Sequence, residues 1–536
     1  MASPTRIVPV ILKGGLNLSS SALEVEPGQC TQLFNYEVNT LGRYQRIAGY
    51  ERFDGRKAPS ATKPSDVDGW PFDTDEEDQA AILQEINARR QLITRVPGAG
   101  VIQGIFTFDE HVYAFRSNAE ETQSMLYKST LQGWQLVVTP LRLNSGVYRF
   151  CQANFKGSSN SKEVIGVDGV NKAFRFNGTD FTEIEGPITP DAPIDCEVLP
   201  SQVLLLAYRN GSFVYSAVGD PTKFDPTDGG GEIACADEIA KMQMQANNSC
   251  AIFCRHRTYI LYGSSEADFT LENLSKTTGA IASSVQSIGD SIYLDDRGLT
   301  RLDRVQAFGN FEMATISQLI DPLLNKYTDR VTASIAIKDK NQYRLCFDDG
   351  TGLILTFYGK EVSGFSTFDL GKVVRCIYAG EDERGREVIY FGSDDGFVYQ
   401  LEKGVTFDGD PVPFVCRPAF YNFRSVDVKK RFRKLIVEAD TVGRATINVA
   451  PDFDYSDPDN PWHIPSQTIV MGGGGYWDQG TWDESRWSSA SVFTFDTYID
   501  GVARNMTFAI SGNAINEPPH ILNSFIVHYS PRSRRR

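Results

Sequence analysis

From about residue 100 to 410 the chain is a succession of short β-like runs broken by Gly, Asn and Asp, with almost nothing of helical period. One hairpin reads Val112-Tyr113-Ala114-Phe115-Arg116, a polar turn, then Met125-Leu126-Tyr127-Lys128-Ser129. A second unit sets Val164-Ile165-Gly166-Val167 against Lys172-Ala173-Phe174-Arg175-Phe176 across an Asp168-Gly169 turn, and Asn177-Gly178 then leads into Phe181-Thr182-Glu183-Ile184. Asn-Gly supplies the positive φ angles that a tight hairpin needs. The pattern recurs at Val203, Ala251, Ser291, Tyr343 and Val388, a loose period of roughly 40–50 residues. Stacked four-stranded blades produce that spacing, so the expected fold is all-β, a β-propeller of six or seven blades over 101–410. A pair of β-sandwiches is the alternative, because local pattern does not show ring closure.

Three other stretches break this texture. Residues 1–56 read as an N-terminal β segment belonging to a platform, and 57–100 as a linker carrying one amphipathic helix. Asp75-Glu76-Glu77-Asp78 stand at the helix start, Ile82, Ile86 and Ile93 mark its apolar side, and Arg89-Arg90 lie near its end. Those isoleucines either cover the propeller rim or dock a partner. Residues 411–531 read as longer antiparallel strands of a separate sandwich-like domain, and 532–536 are a basic tail.

The chain has 536 residues and a net charge of −15, which excludes a surface built to grip nucleic-acid phosphates. Its apolar runs fall short of the roughly 20 residues of a membrane-spanning helix, and the N-terminus lacks the pattern of a signal peptide. The nine cysteines are odd in number and scattered, as expected of reduced thiols packed as small hydrophobes. Cys250, Cys254 and His256 would share one strand face, but a fourth metal ligand is missing from the pattern.

The sequence contains no nucleophile elbow, no phosphate-binding glycine loop and no H-E-x-x-H helix. Carboxylate pairs such as Asp295-Asp296, Asp348-Asp349 and Asp394-Asp395 fall at hairpin turns, where aspartate caps the turn. These features predict a protein that is not an enzyme and needs no cofactor or metal. The conspicuous cluster is Trp477, Trp482 and Trp487, three of six tryptophans at intervals of five, a candidate interface or a stacking site for sugar rings.

Several segments together resemble the tail nozzle proteins of short-tailed bacteriophages, the group of packaged-DNA stabilization and tail tubular proteins. They are Leu12-Lys13-Gly14-Gly15-Leu16-Asn17, Pro27-Gly28, Asn35-Tyr36 and Gly42-Arg43-Tyr44-Gln45-Arg46-Ile47-Ala48-Gly49-Tyr50-Glu51-Arg52-Phe53. Further on come Tyr215-Ser216-Ala217-Val218-Gly219-Asp220-Pro221, Asp296-Arg297-Gly298-Leu299, Phe308-Gly309-Asn310-Phe311-Glu312 and Ile316-Ser317. The tryptophan cluster and Phe525-Ile526-Val527-His528-Tyr529 with the arginine tail complete the match. The resemblance implies a structural virion protein of the tail, assembled in the host bacterial cytoplasm as a homohexamer. It implies contact with the tail adaptor below the portal, a tail fibre or tailspike as an additional candidate partner, and genomic DNA passing through the lumen without sequence-specific binding. An acidic conduit suits that passage, since carboxylates repel phosphates. Retention would then be steric, through turn-rich loops at 56–73 or 451–475.

A glycan-binding adhesin using the three tryptophans is the alternative function. A sialidase-type hydrolase is the weakest, because Ser393-Asp394-Asp395-Gly396 is only a fragment of the repeated turn motif such enzymes carry.

Overall fold

Each blade begins as a hairpin fixed by local chemistry. Strands Ala99–Phe108 and His111–Ser117 pair around Asp109 and Glu110, which both adopt positive φ, 46° and 64°, as a two-residue turn with the twist of its strands requires. The same unit repeats to make seven four-stranded blades, six of them separate sheets and one, from Val331–Ile337 to Glu361–Asp369, the first four strands of a ten-stranded sheet. The computed structural model describes residues 5–21, 24–61, 76–137, 141–157, 161–186, 192–305, 310–382, 384–441, 445–455, 466–471 and 492–532. The gating candidates within 62–73, 456–465 and 472–475, and tail residues 533–536, lie outside the described residues.

The first strand of each blade is innermost: Ala99–Phe108, Arg149–Ala153, Pro193–Val198, Ile239–Met244, Gln286–Ile288, Val331–Ile337 and Val374–Glu381. Side chains from neighbouring blades fill every seam. Phe106, Tyr113 and Phe115 of blade 1 pack on Tyr148, Phe174 and Phe176 of blade 2, with the Phe115 and Tyr148 rings stacked at 3.9 Å. Ile335 and Phe368 of blade 6 meet Ile389 and Phe391 of blade 7, and Ile102 and Ile105 of blade 1 meet Cys376 and Val398 of blade 7. The ring therefore closes, and the blade number is seven.

Closure uses a strand from the other end of the chain. Blade 7 supplies three strands itself, and its outer position is filled by Tyr50–Phe53, antiparallel to Val398–Leu401. The sequence reading placed 50–53 in the platform; the structure moves them into the propeller, because Val398–Leu401 offers them a free edge to pair. The chain enters through Gly49, where an added Cβ would lie 2.1 Å from the Thr406 carbonyl oxygen.

The platform is a sandwich of two sheets. One joins Val492–Ala503, Lys430–Asp440, Ile521–Pro531, Tyr44–Arg46 and Tyr36–Val38, with Arg6–Ile11 on Ile521–Pro531. The other runs on without a break from blade 6: Glu361–Asp369 pairs in parallel with Cys30–Phe34, followed by Val412–Pro418, Met506–Ala514, Ala445–Phe453 and Gln467–Met471. A single apolar core spans both sheets and reaches Leu299, Leu345 and Phe357 of blades 5 and 6. The sandwich is thus built from both chain ends and shares its core with the propeller.

Ion pairs reinforce the junction. Glu37, from the platform, accepts from Lys340 at 2.8 Å, Arg344 at 3.0 Å and Gln342 at 3.1 Å, while Glu402 meets Lys340 at 2.7 Å and Arg344 at 2.5 Å. Burial pushes the Glu402 carboxyl up, but Lys340 and Arg344 outweigh it and hold the group down at about 2. Nearby, His520 shares a 2.8 Å hydrogen bond with the Tyr36 hydroxyl in the core. Burial first, then Arg46, push its imidazole down to about 3, so it is neutral.

Helix Glu76–Leu92 packs alongside the closure strand rather than projecting outward: Arg90 pairs with Asp408 at 3.3 Å, and Asp408 also holds Arg52 of that strand at 2.5 Å. A second, short helix at Asp321–Tyr327, which the sequence did not suggest, carries Pro322 in its first turn and buries Leu324 and Tyr327.

Two outcomes are expected. Arg344→Met leaves Glu37 and Glu402 short of a cation, and thermal or urea unfolding should show a loss of about 3 kcal/mol. His520 has a folded pKa below its unfolded value of about 6.5, so its contribution is full above that pH and is lost as pH falls towards about 3. The urea midpoint should drop across this window, and His520→Asn should flatten the drop.

Candidate functional site

The inner strands enclose a central cavity of about 1480 Å³. Inner-strand residues line it, among them Ile105 and Thr107 from blade 1, Lys241 and Gln243 from blade 4, Ser334 and Ala336 from blade 6, and Arg375 and Ile377 from blade 7. Among the described lining residues none comes from blade 3. Arg149 and Lys241, from the flanking blades, converge on the blade 3 carboxylate instead. Lys241 Nζ lies 3.1 Å and Arg149 Nη1 3.7 Å from Asp195 Oδ1, and the Met242 amide donates to Asp195 Oδ2 at 2.6 Å. Arg149 also donates to the Ala240 carbonyl at 2.8 Å.

Asp195 is fully buried, and its carboxylate offsets the two cations beside the cavity. Burial opposes the charge on Lys241, yet the Asp195 carboxylate outweighs it and the ammonium pKa is raised. Two residues along the same strand face, Glu197 is pushed up to about 7, chiefly by burial, with Lys241 pulling the other way. Glu197, on the blade 3 strand behind the cavity lining, thus titrates near neutral pH.

The rest of the wall is tied internally. Arg375 donates from Nη2 to Asp394 at 3.1 Å, the Lys338 and Asp339 amides donate to Glu387 at 3.2 and 3.1 Å, and Gln152 donates to the Tyr378 hydroxyl at 3.0 Å. Among the described residues no group of three or more His, Cys, Asp or Glu is placed to hold a metal ion.

The sequence-derived candidates lie elsewhere. Ile82 and Ile93 are buried within the chain, at 4% and 3% exposure, and Ile86 is half-buried. They seat the helix and the segment after it, and Ile93 falls beyond the helix end at Leu92; Ile82 and Ile93 therefore do not form an exposed docking face. Trp477, Trp482 and Trp487 lie outside the described residues. His256 leaves the strand that ends at Cys254 and is exposed, so it does not share the buried face of Cys250 and Cys254. The sequence reading missed Arg149, Asp195, Glu197 and Lys241. Their signal was present as alternation: Asp195 and Glu197, like Lys241 and Gln243, occupy one side of strands whose other side is apolar.

With its ring of blades and central cavity, the chain is a β-propeller protein. No family model and no curated protein matches its sequence. Among solved structures it is similar to virginiamycin B lyase from Staphylococcus aureus, at 14% identity over 56% of this chain and 94% of that one, with a TM-score of 0.39. It is also similar to YCF48 bound to a D1 peptide, at 12% identity over 57% of this chain and 95% of that one, with a TM-score of 0.37. Neither likeness bears on what this chain does.

Glu197 supplies a test of the charge cluster around Asp195. Its folded pKa is raised, so its contribution is full below the unfolded value near 4.5 and is lost as pH rises through about 7. Glu197→Gln should therefore raise stability at pH 8 by about 1–2 kcal/mol over wild type and change little at pH 4, as read by urea denaturation.

Proposed function

We propose that this protein is a tail nozzle of a short-tailed bacteriophage. In this reading six copies close the DNA exit channel below the portal and tail adaptor, retain the packaged genome and conduct it during ejection. Its role is structural rather than enzymatic. Its site of action is the tail of the virion, after assembly in the host cytoplasm, with a tail fibre or tailspike as a further candidate partner.

The observation that supports this best is where the resembling segments meet. The Tyr44 hydroxyl lies 2.9 and 2.6 Å from the carbonyls of Lys13 and Gly28, which share its single proton, and accepts from the Gly15 amide at 3.0 Å. Asn35 and Tyr36 sit in the same junction. Segments far apart in sequence thus build one knot between platform and propeller, the part that a load-transmitting tail component needs most. The outer face of the six-stranded sheet leaves Ile7, Ile11 and Tyr498 at 60%, 65% and 75% exposure, apolar surface suited to a subunit contact. The net charge of −15 suits a lumen through which DNA slides without adhering.

Counting subunits tests this. Quantitative mass spectrometry of purified particles should find six copies of this chain for each tail, and electron microscopy of filled particles lacking it should show leaked genomes. Absence of the chain from particles, or a copy number that is no multiple of six, would contradict the reading.

A further inference from the structure

The cavity at the centre of the ring differs in charge from one end to the other. Every blade starts on its innermost strand and the blades repeat around one axis, so the inner strands run in the same sense. Strand starts therefore gather at one end of the cavity and hairpin turns at the other. Of the lining residues, Arg149, Lys241 and Arg375 fall within the first three positions of their strands. Asp109, Glu110 and Asp339 sit on hairpin turns, and Glu381 is the last residue of its strand. The basic end and the acidic end are thus set by where the charges fall along each strand.

Arg375 is answered by Asp394, but Arg149 and Lys241 share one carboxylate. Both approach Asp195 Oδ1, at 3.7 and 3.1 Å, while Oδ2 accepts the Met242 amide at 2.6 Å. Arg149 also donates from Nη1 to the Ala240 carbonyl, and among the described residues its Nε and Nη2 meet no acceptor. Lys241 directs one of its three ammonium donors to Asp195. Glu197, which faces Lys241 and Asp195, is mostly protonated below about 7 and adds no full charge there. The pair therefore carries one positive charge in excess, and each side chain keeps 21% exposure beside the cavity. Uncharged donors continue the wall. Gln243 lies two residues from Lys241 on the same strand, Ser287 stands on the inner strand of blade 5, the next in the ring, and Ser283 just before it. None of these three makes a side-chain hydrogen bond among the described residues.

We propose that the basic end of this cavity binds a small hydroxylated monocarboxylate, of the sugar-acid class, with its carboxylate on Arg149 and Lys241 and its hydroxyls on Gln243, Ser283 and Ser287. The charge count selects a monoanion. One added carboxylate balances the excess cation, whereas a dianion overshoots it and also meets the repulsion of Asp109, Glu110, Asp339 and Glu381 from the far end. A guanidinium with free N–H groups suits the planar carboxylate, which accepts two parallel hydrogen bonds. Amide and hydroxyl side chains suit a partner that both donates and accepts, as sugar hydroxyls do. The cavity of about 1480 Å³ exceeds what a single monosaccharide fills, so water completes the site and the affinity is modest.

Isothermal titration of the full-length protein at low salt and pH 6, below the Glu197 value of about 7, tests this with glucuronate, glucose and sulfate as probes. The expected result is one glucuronate bound per chain with a Kd of about 1 mM or below. Glucose, the uncharged parent sugar, and sulfate, a dianion, should each bind at least about tenfold more weakly. Arg149→Gln leaves Lys241 on Asp195 and should weaken glucuronate at least about tenfold with the unfolding midpoint little changed. If that variant does not fold, Gln243→Leu takes its place, with an expected loss of about fivefold. No binding of glucuronate, glucose or sulfate binding as tightly, or full glucuronate affinity in the folded variant would overturn the proposal.

Discussion

Everything in this molecule hangs on where one short N-terminal stretch pairs. Cys30–Phe34 lies between the last strand of blade 6 and the platform strand Val412–Pro418, and Tyr50–Phe53 closes blade 7. Between them Asn35 turns the chain from one platform sheet to the other at φ 53°. It donates its side-chain amide to the Pro413 carbonyl at 2.7 Å and accepts the Asp369 amide at 2.8 Å, so each side of the turn is tied down. Asparagine suits the position because it tolerates a left-handed backbone and bonds its own neighbourhood. Without this stretch blade 7 would lack its outer strand, and the platform sheet would lose the strand that joins it to blade 6.

The consequence is mechanical. A propeller attached to a sandwich by a flexible linker would move as two bodies, whereas here a ten-stranded sheet and one apolar core cross the boundary. The buried network of Glu37, Lys340, Arg344 and Glu402 sits at the same junction, where paired charges set register because any slip would leave one unpaired. The cavity wall follows a similar rule, its cations answered by carboxylates such as Asp195 and Asp394.

What could be read from the sequence was local. Val112–Arg116 against Met125–Ser129, and Asn177-Gly178 ahead of Phe181, announced themselves because alternation and turn residues lie within one hairpin. The partner of Val398–Leu401 did not, since the strand that closes blade 7 stands some 350 residues earlier and nothing within Tyr50–Phe53 marks its address. The isoleucine spacing found the helix, and of its two readings, cover for the rim or docking face, Ile82 and Ile93 take the buried one, because a stripe that can bury itself within its own chain gains by doing so. Asp195 and Lys241 were overlooked for the opposite reason. A charged residue in a short strand looks solvent-facing until the ring brings its partner from the next blade.

The central claim is that residues 30–53 lock propeller and platform into one cooperative body. Native-state hydrogen exchange tests it most directly. The account predicts that the amides of Cys30–Phe34 and Tyr50–Phe53 exchange with the same opening free energy as the blade 6 strand Thr351–Tyr358 and the platform strand Lys430–Asp440, in one global event. Exchange of residues 30–53 at much lower free energy, with the blade strands still protected, would show that the two parts hold independently and would contradict it.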